Sequence, residues 1–330
     1  MIWLRRTGRL VCWFASVVAL AVLAMAALIA VPVSQPPSLE SIRAGALAID
    51  RAGMPDTSRF QARDGTWLAY RLYPAASGEA QHVAIVIHGS GGHSTIMNEV
   101  ATRLAADEFV VVTPDIRGHG ESGTRGDIAY DGQLDDDLDD LLTELRQHYQ
   151  KADFALLGFS SGGGFALRVA TGKLSFAFVR LVLLSPYLGY DAPSTRGPGD
   201  AALWASPDRP RLIALTALRR VGLPCCESLP VIAFAVSPGS EKYVTSRYSY
   251  RLLTNFAAPR NLGDAFRRLK IPTTIIAGSA DELMRSDKYA DIVRGIEPAI
   301  GVQIVSGASH MGILSGAAAI DTISAALMRK

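Results

Sequence analysis

Hydrophobic positions fall into three successive patterns along this chain. Residues 10–33 carry no charged side chain and are mostly Ala, Val, Leu and Ile. About 20 apolar residues suffice to cross a bilayer as a helix, so residues 1–34 are expected to hold a membrane span. Residues 31–58 are punctuated by Pro and Ser and predict a tether with one short helix, a linker over residues 35–58. From residue 59 onward, strand and helix patterns alternate. Residues 60–62 and 67–73, joined across Asp64-Gly65, predict a hairpin. Short, wholly apolar runs at 83–87, 109–112, 154–157, 179–184, 273–276 and 302–305 predict strands buried on both faces. Helical periodicity fills the intervals at 96–106, 134–148, 162–170 and 287–296, with Leu134, Leu138, Leu141, Leu142 and Leu145 on one buried face. This alternation predicts an α/β domain over residues 59–330, a mostly parallel central sheet with helices on both faces.

The rhythm breaks once. Between 184 and 273 the chain is several times longer than a helical crossover needs. Residues 186–260 are therefore expected to form a helical cap insertion, with a helix near 211–221 and an apolar run at 229–236.

Composition sharpens the reading of the N-terminus. The 330 residues are 49% hydrophobic and 19% charged, and the first apolar run supplies much of that excess. Arg5, Arg6 and Arg9 precede the run, while Glu40 and Arg43 follow it without cationic bias. The positive-inside rule then keeps the N-terminus in the cytoplasm and exports the remainder, into the periplasm in a bacterium. Ala24-Met25-Ala26 offers the competing reading of a cleaved signal peptide and a secreted protein. A signal peptide's apolar core spans only about 7–15 residues, so the longer run favours an uncleaved anchor.

Charge and cysteine content narrow the function classes. Net charge is +2, and no basic run carries interleaved aromatics, which excludes nucleic acid as a partner. Three cysteines are too few for a disulfide framework. A bridge between the adjacent Cys225 and Cys226 would close a strained ring, so both are expected as small buried residues. No Cys or His set has zinc spacing. The acidic cluster Asp135, Asp136, Asp137, Asp139 and Asp140 lacks the glycine and ligand spacing of a calcium loop and is expected on the solvated face of a helix.

The chemistry concentrates at three loops. Gly158-Phe159-Ser160-Ser161-Gly162 lies between an apolar strand and a helical stretch, the setting of a nucleophile elbow that lifts the central serine above a sheet. The glycines centre on Ser160 rather than Ser161, and the Ser161 N–H becomes an oxyanion donor at the helix start. A hydroxyl needs a base at neutral pH. In the order serine, acid, histidine, the only histidine after Ser160 is His310, in a loop past the last apolar run. A carboxylate must orient that imidazole. Asp281, directly after the 273–276 run, is preferred over its neighbours Glu282 and Asp287. The glycine-rich turn His88-Gly89-Ser90-Gly91-Gly92-His93 follows the 83–87 run and points to the Ser90 N–H as the second oxyanion donor. His88, His93 and His119 precede the serine and are expected in structural or substrate-side roles.

Together, the turn from His88 to Ser94, the stretch Asp115 to Gly123 and the serine elbow resemble the monoglyceride lipase and lysophospholipase branch of the α/β-hydrolases, a branch grouped with serine aminopeptidases. The resemblance runs from residue 60 to the C-terminus and is weakest in the cap. It implies an eight-stranded sheet, a cap above the site, no cofactor, and hydrolysis of lipid-like esters by Ser160, Asp281 and His310 with Ser90 and Ser161 as oxyanion donors. Phe159 and Ser161 depart from the His and Met common in that branch, and a membrane anchor is unusual for it. The expected activity is a serine esterase acting on apolar acyl esters. Rivals are acyl transfer or N-terminal peptide cleavage by the same triad, the latter needing cap acids such as Asp191, Asp200, Asp208, Glu227 or Glu241 to hold an ammonium group. A non-catalytic binding protein is a third reading, disfavoured because no triad member is missing. Epoxide or haloalkane chemistry would need a carboxylate at the elbow.

Overall fold

A computed structural model describes residues 2–329 except 79–80, 198–203, 238–243 and 297–299, with side chains from residue 13 onward. The chain starts as helix α1 (Ile2–Ala30), followed after an extended stretch by α2 (Glu40–Ala48). The segment Trp13–Ala30 of α1 is apolar and unburied, and it is the one described helix long enough to cross a membrane. Its exit is tied to the body of the protein: the Arg211 guanidinium donates to the carbonyls of Ile29, at 2.9 Å, and of Val31.

Strands β1 (Ser58–Gln61) and β2 (Trp67–Tyr73) form the expected hairpin, with Asp64-Gly65 at its turn. Next come β3 (His82–Ile87), α3 (Asn98–Ala106), β4 (Phe109–Pro114), α4 (Gln133–His148), β5 (Asp153–Phe159), α5 (Ser161–Ala170) and β6 (Arg180–Leu184). The chain between β6 and the later strands carries β7 (Ala205–Pro207), α6 (Arg209–Arg220), β8 (Pro230–Phe234), β9 (Arg247–Ser249), α7 (Tyr250–Asn255) and α8 (Leu262–Arg268). It returns through β10 (Thr273–Gly278), α9 (Tyr289–Ile292), β11 (Gly301–Val305) and α10 (Ala317–Met328).

The main sheet has eight strands in the order β1-β2-β4-β3-β5-β6-β10-β11. β2 pairs antiparallel with β1 and β4, and every pair from β4 to β11 is parallel. Burial explains why the central strands are apolar at every residue. The side chains of Val83 to Ile87, Leu156, Leu157 and Leu181 to Leu184 are all buried, because helices cover both faces. The run at 302–305 is the exception: β11 is the sheet's edge, and Ile304 stands exposed. The helix expected over 287–296 is shorter, α9 continuing a 3₁₀ turn at Ser286–Lys288.

Three further expectations are corrected. The insertion is not wholly helical, since β7, β8 and β9 form a three-stranded antiparallel sheet. The run at 229–236 is too short for its period to separate strand from helix, and Pro230 with β-branched Val231 and Ile232 decides for a strand. Cys225 and Cys226 are exposed free thiols in the loop after α6, where no element covers them, not small core residues. Finally, Asp135 and Asp137 are buried rather than solvated. Arg168 lies 2.8 Å from Asp135, and Arg117 lies 2.7 Å from Asp137. Asp136, Asp139 and Asp140 pair with Arg63 nearer the surface. Asp135 and Asp137 thus make helix-to-core ion pairs, while the other three acids stay partly exposed.

Candidate active site

Parallel strands deliver their carboxyl ends to one edge of the sheet, and the three loops singled out in the sequence leave from there. β5 ends at the Ser160 turn, β10 leads to Asp281 and β11 leads to His310, with β6 and β10 filling the sheet order between β5 and β11. Ser160, Asp281 and His310 are all buried.

Ser160 occupies a backbone conformation that side chains resist, φ 53° and ψ −120°. Strain of this kind costs of order 1–3 kcal/mol and persists only where surroundings enforce it. The enforcement is visible. The Ser160 N–H donates to Leu184 O at 2.9 Å, and its carbonyl accepts from Gly163 and Tyr187. The elbow glycines permit the crossing: a Cβ on Gly158 would stand 2.2 Å from Gly162 O, and one on Gly162 would stand 2.3 Å from His88 O. A serine with any larger residue at those positions could not be turned so sharply.

The acid and base loops are stitched to each other. The Ser279 and Ala280 N–H groups donate to Val305 O and Ala308 O at 2.9 and 3.0 Å, and Gly307 N–H donates to Ser279 Oγ at 2.8 Å. Gly278 allows this approach, since a Cβ there would lie 2.0 Å from Ala308 O. His310 Nδ1 meets Asp281 Oδ2 at 2.9 Å and Oδ1 at 3.1 Å. Asp281 Oδ1 also accepts the N–H groups of Leu283 and Met284 at 2.9 and 2.8 Å, which fixes the carboxylate. Burial alone would raise this carboxyl; the His310 charge and hydrogen bond and the Met284 N–H outweigh it and hold Asp281 below its usual range. Of its rivals, Glu282 accepts the His310 backbone N–H at 2.9 Å, while Asp287 faces Lys288 on the surface. The role of Glu282 as a brace for the histidine loop was not legible from sequence, where it looked only like a competing acid.

With Nδ1–H given to the carboxylate, the Nε2 of His310 is left as an acceptor in the neutral tautomer. The His310 ring packs on Phe159, the residue before Ser160, with ring centroids 4.8 Å apart. Phe159 thus packs against the imidazole, while among the described residues no hydrogen bond joins Ser160 Oγ to His310 Nε2. Among the described residues, the N–H groups of Ser90 and Ser161 make no backbone hydrogen bond.

Of the remaining loop histidines, His88 is held by backbone groups on both ring nitrogens. His88 is fully buried, donates from Nδ1 to Gly89 O at 2.8 Å, and accepts the Ile116 N–H on Nε2 at 3.1 Å. Both ring nitrogens are occupied, and burial pushes its pKa down to about 4. Asp115 ties the same region together by accepting the Ser94 and Glu121 N–H groups at 2.7 and 2.9 Å.

A strand-to-helix serine elbow on an eight-stranded, mostly parallel sheet defines an α/β-hydrolase. Residues 78–314 match the family model described as "Serine aminopeptidase, S33", and the chain belongs to that family. It is 35% identical over 117 residues to an uncharacterised protein of Mycobacterium tuberculosis, covering 35% of this chain and 31% of that protein. It is 31% identical over 124 residues to the monoglyceride lipase of Mus musculus, covering 37% and 40% of the respective chains. Each match thus spans well under two thirds of the relative. The monoglyceride lipase structure from Saccharomyces cerevisiae, a soluble variant with a substrate analogue bound, superposes with a TM-score of 0.64 at 16% identity, covering 84% of this chain and 94% of that one.

Proposed function

We propose that this protein is a membrane-anchored esterase that cleaves apolar acyl esters through an acyl-enzyme on Ser160. The observation that carries the reading is the strained Ser160 elbow beside a histidine already bound through Nδ1 to a buried carboxylate. Ser160 Oγ attacks the acyl carbon while His310 Nε2 accepts its proton. The Ser90 and Ser161 N–H groups receive the developing oxyanion. His310 then protonates the departing alkoxide, which leaves as the alcohol, and a water deprotonated by the same imidazole releases the acid. Asp281 keeps the imidazole in one tautomer and stabilises its charged form.

Two features support an apolar ester. The monoglyceride lipase relatives act in that class by name, and α1 would hold the enzyme at a lipid surface with residues 59–330 outside the cytoplasm. Cleavage of a peptide N-terminus is less well served. Asp208 faces Arg211 at 3.5 Å and Glu227 faces Arg219 at 3.7 Å, so each already has a cationic partner, whereas Asp191 is exposed and makes no ion pair among the described residues. Asp200 and Glu241 lie outside the described residues.

The test is direct. A fluorophosphonate probe should label the wild type and leave Ser160→Ala unlabelled. Nitrophenyl esters of increasing acyl length should be hydrolysed in preference to amino-acid anilides. Equal labelling of the variant, or faster anilide cleavage, overturns the proposal.

A further inference from the structure

The turn carrying Ser90 is not held by the main sheet alone. Three residues of the insertion reach it. The Trp204 indole N–H donates to Ser90 Oγ at 2.9 Å. The Thr245 N–H donates to Gly91 O at 2.9 Å, and the Thr245 hydroxyl donates to Gly118 O at 3.0 Å. On β9, Tyr248 accepts the Gly91 N–H on its hydroxyl at 2.7 Å.

The Tyr248 hydroxyl has one proton to give, and its partner is fixed. His119 Nδ1 faces only the carbonyls of Ile116 and Arg117, at 3.1 and 3.4 Å, so Nδ1 carries the ring proton. The ring is fully buried, which keeps it neutral, and its Nε2 accepts from the Tyr248 hydroxyl. The result is one oriented chain: Gly91 N–H to Tyr248 O–H to His119, and His119 N–H to Ile116 O. Phe256 and Phe234 pack around the Tyr248 ring, so the hydroxyl cannot swing away.

We infer that Tyr248 and Trp204 are positioning residues for the oxyanion turn. They fix Ser90 and Gly91 so that the Ser90 N–H stays aimed at the acyl oxygen, and turnover therefore depends on the insertion sitting down on the sheet. Neither side chain is assigned any contact with the reacting atoms. The inference rests on the reading of Ser160 as an acyl-forming nucleophile, which gives the turn an oxyanion to bind. Preorganised donors act by being in place before charge develops, and a misplacement of about 1 Å can cost 10²-fold.

The experiment uses full-length protein in detergent, with active sites counted by fluorophosphonate titration. Tyr248→Phe keeps the ring and removes only the hydroxyl. Per titrated site, kcat on a short-chain nitrophenyl ester should fall about 10- to 100-fold with KM within threefold. Affinity for a trifluoromethyl ketone, whose hemiketal oxyanion occupies the same donors, should fall in parallel. A role in folding alone would lower the number of titrated sites and leave kcat per site unchanged, and that outcome overturns the inference. Trp204→Phe removes the indole N–H while keeping an aromatic ring against Phe234, and it carries the test if Tyr248→Phe does not fold. Unchanged ketone affinity in that variant is equally fatal. An inert wild type removes the esterase reading and this inference together, whereas an active wild type with an unchanged Tyr248→Phe removes this inference alone.

Discussion

His310 Nδ1 lies 2.9 Å from Asp281 Oδ2, and both side chains are buried, although 29 positions separate them in the chain. The carboxylate accepts two backbone N–H groups besides the imidazole, so its geometry does not depend on the histidine. Replacing Asp281 by Asn keeps the shape but offers Nδ1 an N–H. The ring then holds its proton on Nε2, where it cannot take one from Ser160. Asp281→Asn should lower kcat about 10⁴-fold at neutral pH with the fold intact. A loss under tenfold, measured per folded molecule on a nitrophenyl ester, would exclude Asp281 as the orienting acid.

The same carboxylate predicts an acid limb in stability. Its folded pKa lies below the usual 3.8, so the unfolded chain binds the proton more readily. The stabilisation is fully present above about pH 4 and is lost as pH falls through the folded value. In Asp281→Asn that low-pH loss should be absent from urea midpoints. An acid limb of unchanged size in the variant would show that other carboxylates produce it.

Gly278 tests whether the acid and base loops act as one unit. Its would-be Cβ meets the backbone oxygen of Ala308, which has no flexible end to move aside. Gly278→Ala must therefore push the His310 loop from the Asp281 loop. We expect kcat/KM to fall at least about 100-fold, with stability lower by about 1–3 kcal/mol, the range for overpacking. Wild-type activity in this variant would mean that the loops tolerate separation.

Much of this arrangement was legible in the chain because parallel sheets write themselves plainly. Wholly apolar runs such as 83–87 and 154–157, alternating with helical stretches, suit strands covered on both sides, and loops after the carboxyl ends of parallel strands share one rim. Ser160 and His310 followed from that rule plus a shortage of histidines. What stayed hidden depends on distant partners. Nothing local marks Asp135 and Asp137 as buried, since their burial follows from Arg168 and Arg117 arriving from other elements. The sheet in the insertion was equally unreadable, because strands of three to five residues carry too few periods. Tyr248 looked like one tyrosine among ten until its hydroxyl was found against Gly91.

Ser160 should be worth less to stability than to catalysis. A residue held at φ 53° and ψ −120° sits where only glycine is at ease. Ser160→Gly relieves that strain but adds freedom to the unfolded chain, which offsets about 0.5–1 kcal/mol. Relative to Ser160→Ala, which keeps the strain, Ser160→Gly should be more stable by about 1 kcal/mol, with both inactive. Chemical denaturation of the two variants decides it, and an Ala variant as stable as the Gly variant would mean the elbow stores no strain.

The buried histidines predict a second, milder pH dependence. His88 has its pKa pushed from 6.5 down to about 4 by burial, and burial lowers His93 and His119 as well. Between those values the unfolded chain takes up a proton at His88 that the folded chain refuses, so stability rises with pH across the window. It is complete above pH 6.5, declines as pH falls toward 4, and loses nothing more from His88 below that. His88→Asn keeps a donor for Gly89 O but no acceptor at the Nε2 position for the Ile116 N–H, and it cannot titrate. The variant should show a flatter urea midpoint between pH 6.5 and 4 than the wild type, whatever its absolute stability. If both slopes are the same, protons taken up elsewhere drive the acid sensitivity and His88 is only a spacer between the oxyanion turn and β4.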